Sequence, residues 1–171
     1  MKSIDEITEV LSDLLRINKD RVEGYKRASY DASLSDLKSL FCDRADESRK
    51  NITELMKEIM ILNWAPAMNE IADAGNIYKT WMAIKANFSG NNINHVLNSC
   101  EFAEVAVLNA YKEARVGSSN TQIEELIERQ EQSLKISYEG IKAYRHVYTK
   151  DESYFLEKHK DNGFIKQHSP V

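Results

Sequence analysis

The sequence predicts an all-α protein: an up-down-down-up four-helix bundle built from a duplicated helical hairpin, with one long central connection. Three observations predict it. The first is a long-range repeat. Val10-Leu11-x6-Asn18-x6-Tyr25-Lys26-x-Ala28 recurs as Val96-Leu97-x6-Glu104-x6-Tyr111-Lys112-x-Ala114, an offset of 86. Glu47-Ser48-x-Lys50-x3-Glu54-x2-Lys57 recurs as Gln132-Ser133-x-Lys135-x3-Glu139-x2-Lys142, an offset of 85. Two helices echoed by two later helices describe a repeated hairpin. The second is composition: 171 residues hold only two prolines and six glycines among many Leu, Ile, Glu, Lys and Ala, which favours helix over sheet. The third is the spacing of breaks, which leaves short first and third turns around one long second connection, a pattern that four-helix bundles with one crossover share.

Each element follows in turn. Helix A starts with Ser3 as N-cap and Glu6 three residues on, the capping box that satisfies two orphan donors at once. Ile7, Leu11, Leu14, Asn18, Val22 and Tyr25 then recur at helical spacing, and the helix ends near Tyr30. Helix B begins at Ser33 to Ser35 and turns Leu37, Leu40, Phe41, Arg44, Glu47, Leu55, Ile59 and Leu62 inward. At ~1.5 Å per residue each helix spans roughly 40 Å, the usual height of a bundle. Asn63-Trp64-Ala65-Pro66 breaks helix B, since proline lacks the donor and displaces its predecessor from helical geometry. A short amphipathic helix from Ile77 to Phe88, with Trp81 and Ile84 on its apolar face, is expected to cross the bundle end. Helix C runs from Ile93 to Arg115 with Val96, Leu97, Cys100, Glu104, Val107, Leu108 and Tyr111 inward. Helix D runs from Thr121 to about Tyr148. The bundle therefore occupies 1–148 and an extension 149–171, in which Asp151 to Lys160 suits one more short helix. That extension is loosely attached or docks through Tyr154, Phe155 and Phe164.

Charge and hydropathy narrow the function. A net charge of −4, a pI near 5.6 and no basic run argue against nucleic acid as partner. The start, Met1-Lys2-Ser3-Ile4-Asp5-Glu6, is acidic where a signal peptide is apolar, and no stretch is long and apolar enough to span a bilayer. Cys42 and Cys100 form no metal-type or redox pair. They read as reduced thiols of a cytoplasmic protein.

The repeat aligns the polar residues expected at mid-bundle: Asn18 with Glu104, Glu47 with Gln132, Lys50 with Lys135. A dinuclear carboxylate centre takes a Glu from each of two helices and a Glu-x-x-His from each of the others, a donor set that suits iron or manganese. In ferritin-like proteins the single Glu of the first helix precedes a Tyr by seven residues. Here Asn18 precedes Tyr25, and Glu104 precedes Tyr111, by seven. Glu47-Ser48-Arg49-Lys50 and Gln132-Ser133-Leu134-Lys135 fall where the two Glu-x-x-His motifs belong. Both histidines are lysines, one Glu is replaced by Asn18 and another by Gln132, so of six ligands only Glu47 and Glu104 remain, and an ammonium offers a metal no acceptor. The four histidines, His95, His146, His159 and His168, lie elsewhere.

No metal is therefore expected. Two carboxylates and two ammonium groups would leave the bundle centre neutral, with Glu47, Lys50, Glu104 and Lys135 as an ion-pair network beside Asn18, Gln132, Tyr25 and Tyr111. The competing placement has both lysines flanking the core and snorkelling to solvent. A lysine of lowered pKa acting as a base or nucleophile is a further alternative, for which the sequence supplies no substrate pocket.

The run Ile17-Asn18-Lys19-Asp20-x2-Glu23-Gly24-Tyr25, with Trp81 and Asn98-Ser99-Cys100-Glu101-x2-Glu104, resembles a bacterial ferritin-like family known as a domain of unknown function. The resemblance covers residues 4 to 146 and implies a soluble helical bundle without an established activity. The altered ligand set keeps iron chemistry from being carried over. The expected role is a non-enzymatic bundle, stress-related or an interaction protein, that forms a homo-oligomer through a helix face, with no cofactor and no specific small molecule. The alternative is an oxidase-type protein holding iron or manganese at Glu47 and Glu104, with Glu101 or Glu23 as further ligands. A third reading is a carrier of a small apolar ligand.

Overall fold

A computed structural model describes residues 3–32, 34–62, 93–115 and 120–160, with 151–160 described by backbone alone. Four helices make up this structure: α1 (Ile4–Asp31), α2 (Ser35–Ile61), α3 (Ile93–Ala114) and α4 (Thr121–Lys160). The capping box forms at α1: Ser3 Oγ accepts from the Glu6 amide at 3.2 Å and Glu6 Oε2 accepts from the Ser3 amide at 2.7 Å. At α4 the Asn120 side chain accepts from the amides of Gln122 and Ile123. Leu34, the N-cap of α2, makes no side-chain cap and packs against the core instead.

Pairings across the bundle set the topology. Asn18 meets Asn51 while Arg21 meets Ser48, and Tyr111 meets Gln130 while Glu101 meets Arg145, so α1–α2 and α3–α4 are antiparallel hairpins. Asn18 meets Tyr111 while Tyr25 meets Glu104, so α1 and α3 run in opposite directions. Glu58 meets Gln122 and Arg44 meets Ser137, so α2 and α4 do too. The order is up-down-down-up, the ferritin-like four-helix bundle. The expected crossover helix from Ile77 to Phe88 lies outside the described residues.

Many buried positions repeat at one offset. Leu11, Leu14, Asn18, Arg21, Tyr25 and Ala28 of α1 correspond to Leu97, Cys100, Glu104, Val107, Tyr111 and Ala114 of α3, each 86 residues on and all buried. On α2 and α4 the same offset relates Leu37, Leu40, Phe41, Ser48, Asn51 and Leu55 to Ile123, Leu126, Ile127, Leu134, Ser137 and Ile141, again all buried. The offset of 85 read from Glu47, Ser48 and Lys50 is therefore corrected to 86. The identities that suggested it lie largely on exposed faces, whereas the core face sets the register of a packed helix.

A second correction concerns the last helix, which continues past Tyr148 to Lys160. Residues 149–160 contain neither glycine nor proline, so nothing local stops it before Asn162-Gly163. No described helix is long and apolar enough to cross a membrane.

The core divides along the bundle axis. One apolar cluster gathers Leu11, Leu14, Leu15, Leu55, Ile59, Ile123 and Ile127. The other gathers Ala28, Leu37, Phe41, Leu97, Cys100 and Ile141 around Tyr25, whose ring stacks on Phe41 with centroids 5.8 Å apart. Between them lies a waist of buried polar side chains.

Candidate functional site

Arg21 occupies the middle of the waist and is fully buried. Its Nε donates to Glu104 Oε1 at 2.9 Å, and its Nη1 donates to Ser48 Oγ at 2.8 Å and to the Arg44 carbonyl at 3.1 Å. Its Nη2 lies 2.9 Å from Glu47 Oε2, an ion pair in distance that is poorly aligned as a hydrogen bond. Tyr25 donates its hydroxyl to the same Glu104 oxygen, and the Arg21 guanidinium lies 5.2 Å from the Tyr25 ring centroid. One planar cation thus joins α1 to a carboxylate on α2 and another on α3, the geometry for which a guanidinium is suited.

Glu47 has further support. Ser133 Oγ donates to its Oε1 at 2.6 Å and Ser137 Oγ to its Oε2 at 2.7 Å. Arg44 Nη1 donates to Ser137 Oγ at 3.0 Å. Gly140 makes room for this arginine, because a Cβ there would lie 3.1 Å from Arg44 Nη2. The cation paired with both Glu47 and Glu104 is therefore Arg21, while Arg44 reaches Glu47 only through the Ser137 hydroxyl they share.

A neutral tier lies one helical turn away. Asn18 Nδ2 donates to the Tyr111 hydroxyl at 2.6 Å and to the Leu14 carbonyl at 2.9 Å. Tyr111 donates onward to Gln130 Oε1 at 2.8 Å. Gln130 Nε2 donates to Glu54 Oε2 at 2.9 Å, and Asn51 Nδ2 to Asn18 Oδ1 at 3.2 Å. The chain ends at the surface, where Arg129 meets Glu54 at 3.0 Å.

Electrostatics follow from this geometry. Burial alone would draw the Arg21 pKa down, but Glu104, Tyr25 and Glu47 outweigh it, so the cation is held above its ordinary value. Burial, reinforced by the Glu104 charge, pushes the Tyr25 phenol and the Cys100 thiol well up. Burial also raises Tyr111, against the hydrogen bond from Asn18. Both tyrosines and Cys100 are consequently neutral near pH 7.

The sequence-predicted residues divide into two groups. Asn18, Glu104, Tyr25 and Tyr111 are fully buried and Glu47 is half-buried in the waist. Lys50, Lys135 and Gln132 are exposed and lie outside it. The Glu/Lys network is therefore corrected to a Glu/Arg one: a flexible ammonium at those positions stays hydrated, while arginine is less strongly hydrated and makes more directed hydrogen bonds when buried. Glu101 pairs with Arg145 at 2.6 Å, and Glu23 is exposed. Sequence reasoning missed Arg21, Asn51, Gln130 and Ser137. For Arg21 a signal existed: it lies three residues after Asn18 and four before Tyr25, and 86 before the inward Val107.

This donor set does not fit a dinuclear carboxylate centre. Two carboxylates, three side-chain amides (Asn18, Asn51 and Gln130) and no imidazole face the waist among the described residues, and the guanidinium already bridges both carboxylates. Among the described residues no three His, Cys, Asp or Glu side chains converge as a metal site.

Among solved structures the chain is similar to a two-domain protein from Anabaena variabilis containing DJ-1/ThiJ/PfpI-like and ferritin-like domains. The TM-score is 0.65 and the identity 12%, over 99% of this chain and 41% of that chain. That likeness concerns the fold. Comparison with curated proteins finds no match. A family model matches residues 6–116, which span α1, α2 and all of α3, and by that match the chain belongs to the DUF2383 family, a domain of unknown function.

Proposed function

We propose that this chain is a non-enzymatic, cytoplasmic ferritin-like bundle in which an arginine–carboxylate network stands where relatives of this architecture place two metal ions, and that it serves as a structural or interaction protein. The supporting observation is Arg21, whose guanidinium lies 2.9 Å from both Glu104 and Glu47. A metal dication entering between those carboxylates would have to displace a buried cation and leave it unpaired, which is strongly unfavourable. The free thiols Cys42 and Cys100 accord with a reducing compartment.

A second reading has one observation in its favour. Glu104 Oε2 is buried and makes no hydrogen bond among the described residues, which suits a ligand atom of a mononuclear iron or manganese site with Glu47. Metal analysis by mass spectrometry after expression with excess iron and manganese separates the two. Well under one ion per chain is expected. Near-stoichiometric metal in the wild type, lost on Glu104→Gln, would overturn the first reading in favour of the second.

A further inference from the structure

The contacts between the two hairpins are polar, directional and numerous. Arg21 and Tyr25 of α1 reach Glu104 of α3, and Asn18 reaches Tyr111. On the other side Glu47 receives Ser133 and Ser137, Asn51 and Glu54 receive Gln130, and Glu58 receives Gln122. Each hairpin is closed on itself by a short turn, while the two are joined through 63–92 alone. Chain leaves α2 at Leu62, at the end where Glu58 meets Gln122. It returns at Ile93, which packs in the cluster at the opposite end. These two points lie at opposite ends of the bundle, and 30 residues can reach up to roughly 100 Å at ~3.3 Å each.

We propose that the α1–α2 hairpin is an exchangeable unit that docks on the α3–α4 hairpin of a second copy of this chain, so that Arg21 of one copy pairs with Glu104 of the other. An exchanged dimer would keep every hairpin-to-hairpin contact of the closed chain. The choice between the two forms is then set by protein concentration against the effective concentration of a tethered hairpin. The waist supplies specificity, since one register brings Arg21 and Tyr25 together on Glu104 and Asn18 onto Tyr111. The 86-residue repeat of buried positions gives each hairpin a matching docking face, as expected of a unit that once paired with its own copy.

The test places cysteines at Glu58 and Gln122 in a Cys42→Ser background and refolds the full chain at about 1 µM, far below the millimolar effective concentration of a flexible tether, and at several millimolar, above it. A short bismaleimide then links the two positions, with each single-cysteine variant as control. A closed chain, or a dimer made by helix faces, gives cross-linked monomer. Exchange gives a product of doubled mass on a denaturing gel, in a fraction that rises with the refolding concentration. Monomer mass alone at both concentrations would overturn the proposal. A second arm mixes Arg21→Glu with Glu104→Arg. Each alone carries a like-charge waist, whereas exchange between them creates one native and one reversed pair, so the co-refolded mixture is expected to melt about 10 °C above either variant. No gain on mixing counts against exchange. Metal uptake by the wild type would overturn the reading given above and leave the cross-linking result untouched.

Discussion

Arg21 shows what a single side chain can decide in a bundle core. Among the described residues it is the largest fully buried side chain, and its acceptors sit on two other helices. Removing one partner of a buried ion pair leaves a desolvated charge, so Arg21→Met is expected to lose about 3–5 kcal/mol in urea denaturation. Arg21→Lys should also be destabilised, because an ammonium lacks the planar fork that reaches Glu104 and Ser48 together. Arg21→Met combined with Glu104→Leu should recover most of the loss, and a single variant costing under about 1 kcal/mol would refute the role given to the bridge. Asp20 carries a pH dependence of the opposite kind. Burial raises its pKa from 3.8 to about 6, with Arg16 lowering it in part. A carboxyl with a raised folded pKa disfavours the fold once ionised, so its penalty is absent below pH 4, grows between pH 4 and 6 and is complete above. Asp20→Asn should therefore stabilise the protein at pH 8, by roughly 1 kcal/mol after discounting for solvent around the half-buried group, and leave it unchanged at pH 3.5. A constant difference across that pH range would rule the assignment out.

At the scale of elements, local chemistry and packing share control of the helix ends. Ser3 and Glu6 close α1, and Asn120 closes α4, through side-chain bonds to orphan amides. Asn120→Ala should cost about 1 kcal/mol and Asn120→Asp almost nothing, both read as shifts in thermal midpoint. Leu34 gives up that bond at α2 and packs on the second cluster instead. The α1 capping box was legible because it depends on residues three apart. The continuation of α4 to Lys160 was harder to read, because its amphipathic pattern fades after Thr149 while its propensity does not. The repeat relating α2 to α4 was read one residue off the buried face for a related reason. Exposed Lys50 and Lys135 repeat without any packing constraint, whereas Phe41 and Ile127 must both point inward.

Across the whole molecule, the polar waist makes two nearly separate cores. Leu11 and the Tyr25 layer that holds Phe41 lie 14 residues apart on α1, roughly 20 Å along the axis at ~1.5 Å per residue. Leu11→Ala and Phe41→Ala should each cost about 2–5 kcal/mol. In the double variant the two losses should add within about 0.5 kcal/mol, and a larger coupling would show that the waist transmits packing strain.

By itself the sequence determined that this chain is a duplicated helical hairpin, with Asn18, Glu104, Tyr25 and Tyr111 on one inward face, because helical periodicity and an internal repeat depend only on spacing along the chain. That Arg21 is the cation joining Glu47 and Glu104 was decided by tertiary structure. Its spacing from Asn18 and Tyr25 places it on the inward face, but only the pairing of helices brings two carboxylates, the Ser48 hydroxyl and the Arg44 carbonyl onto it.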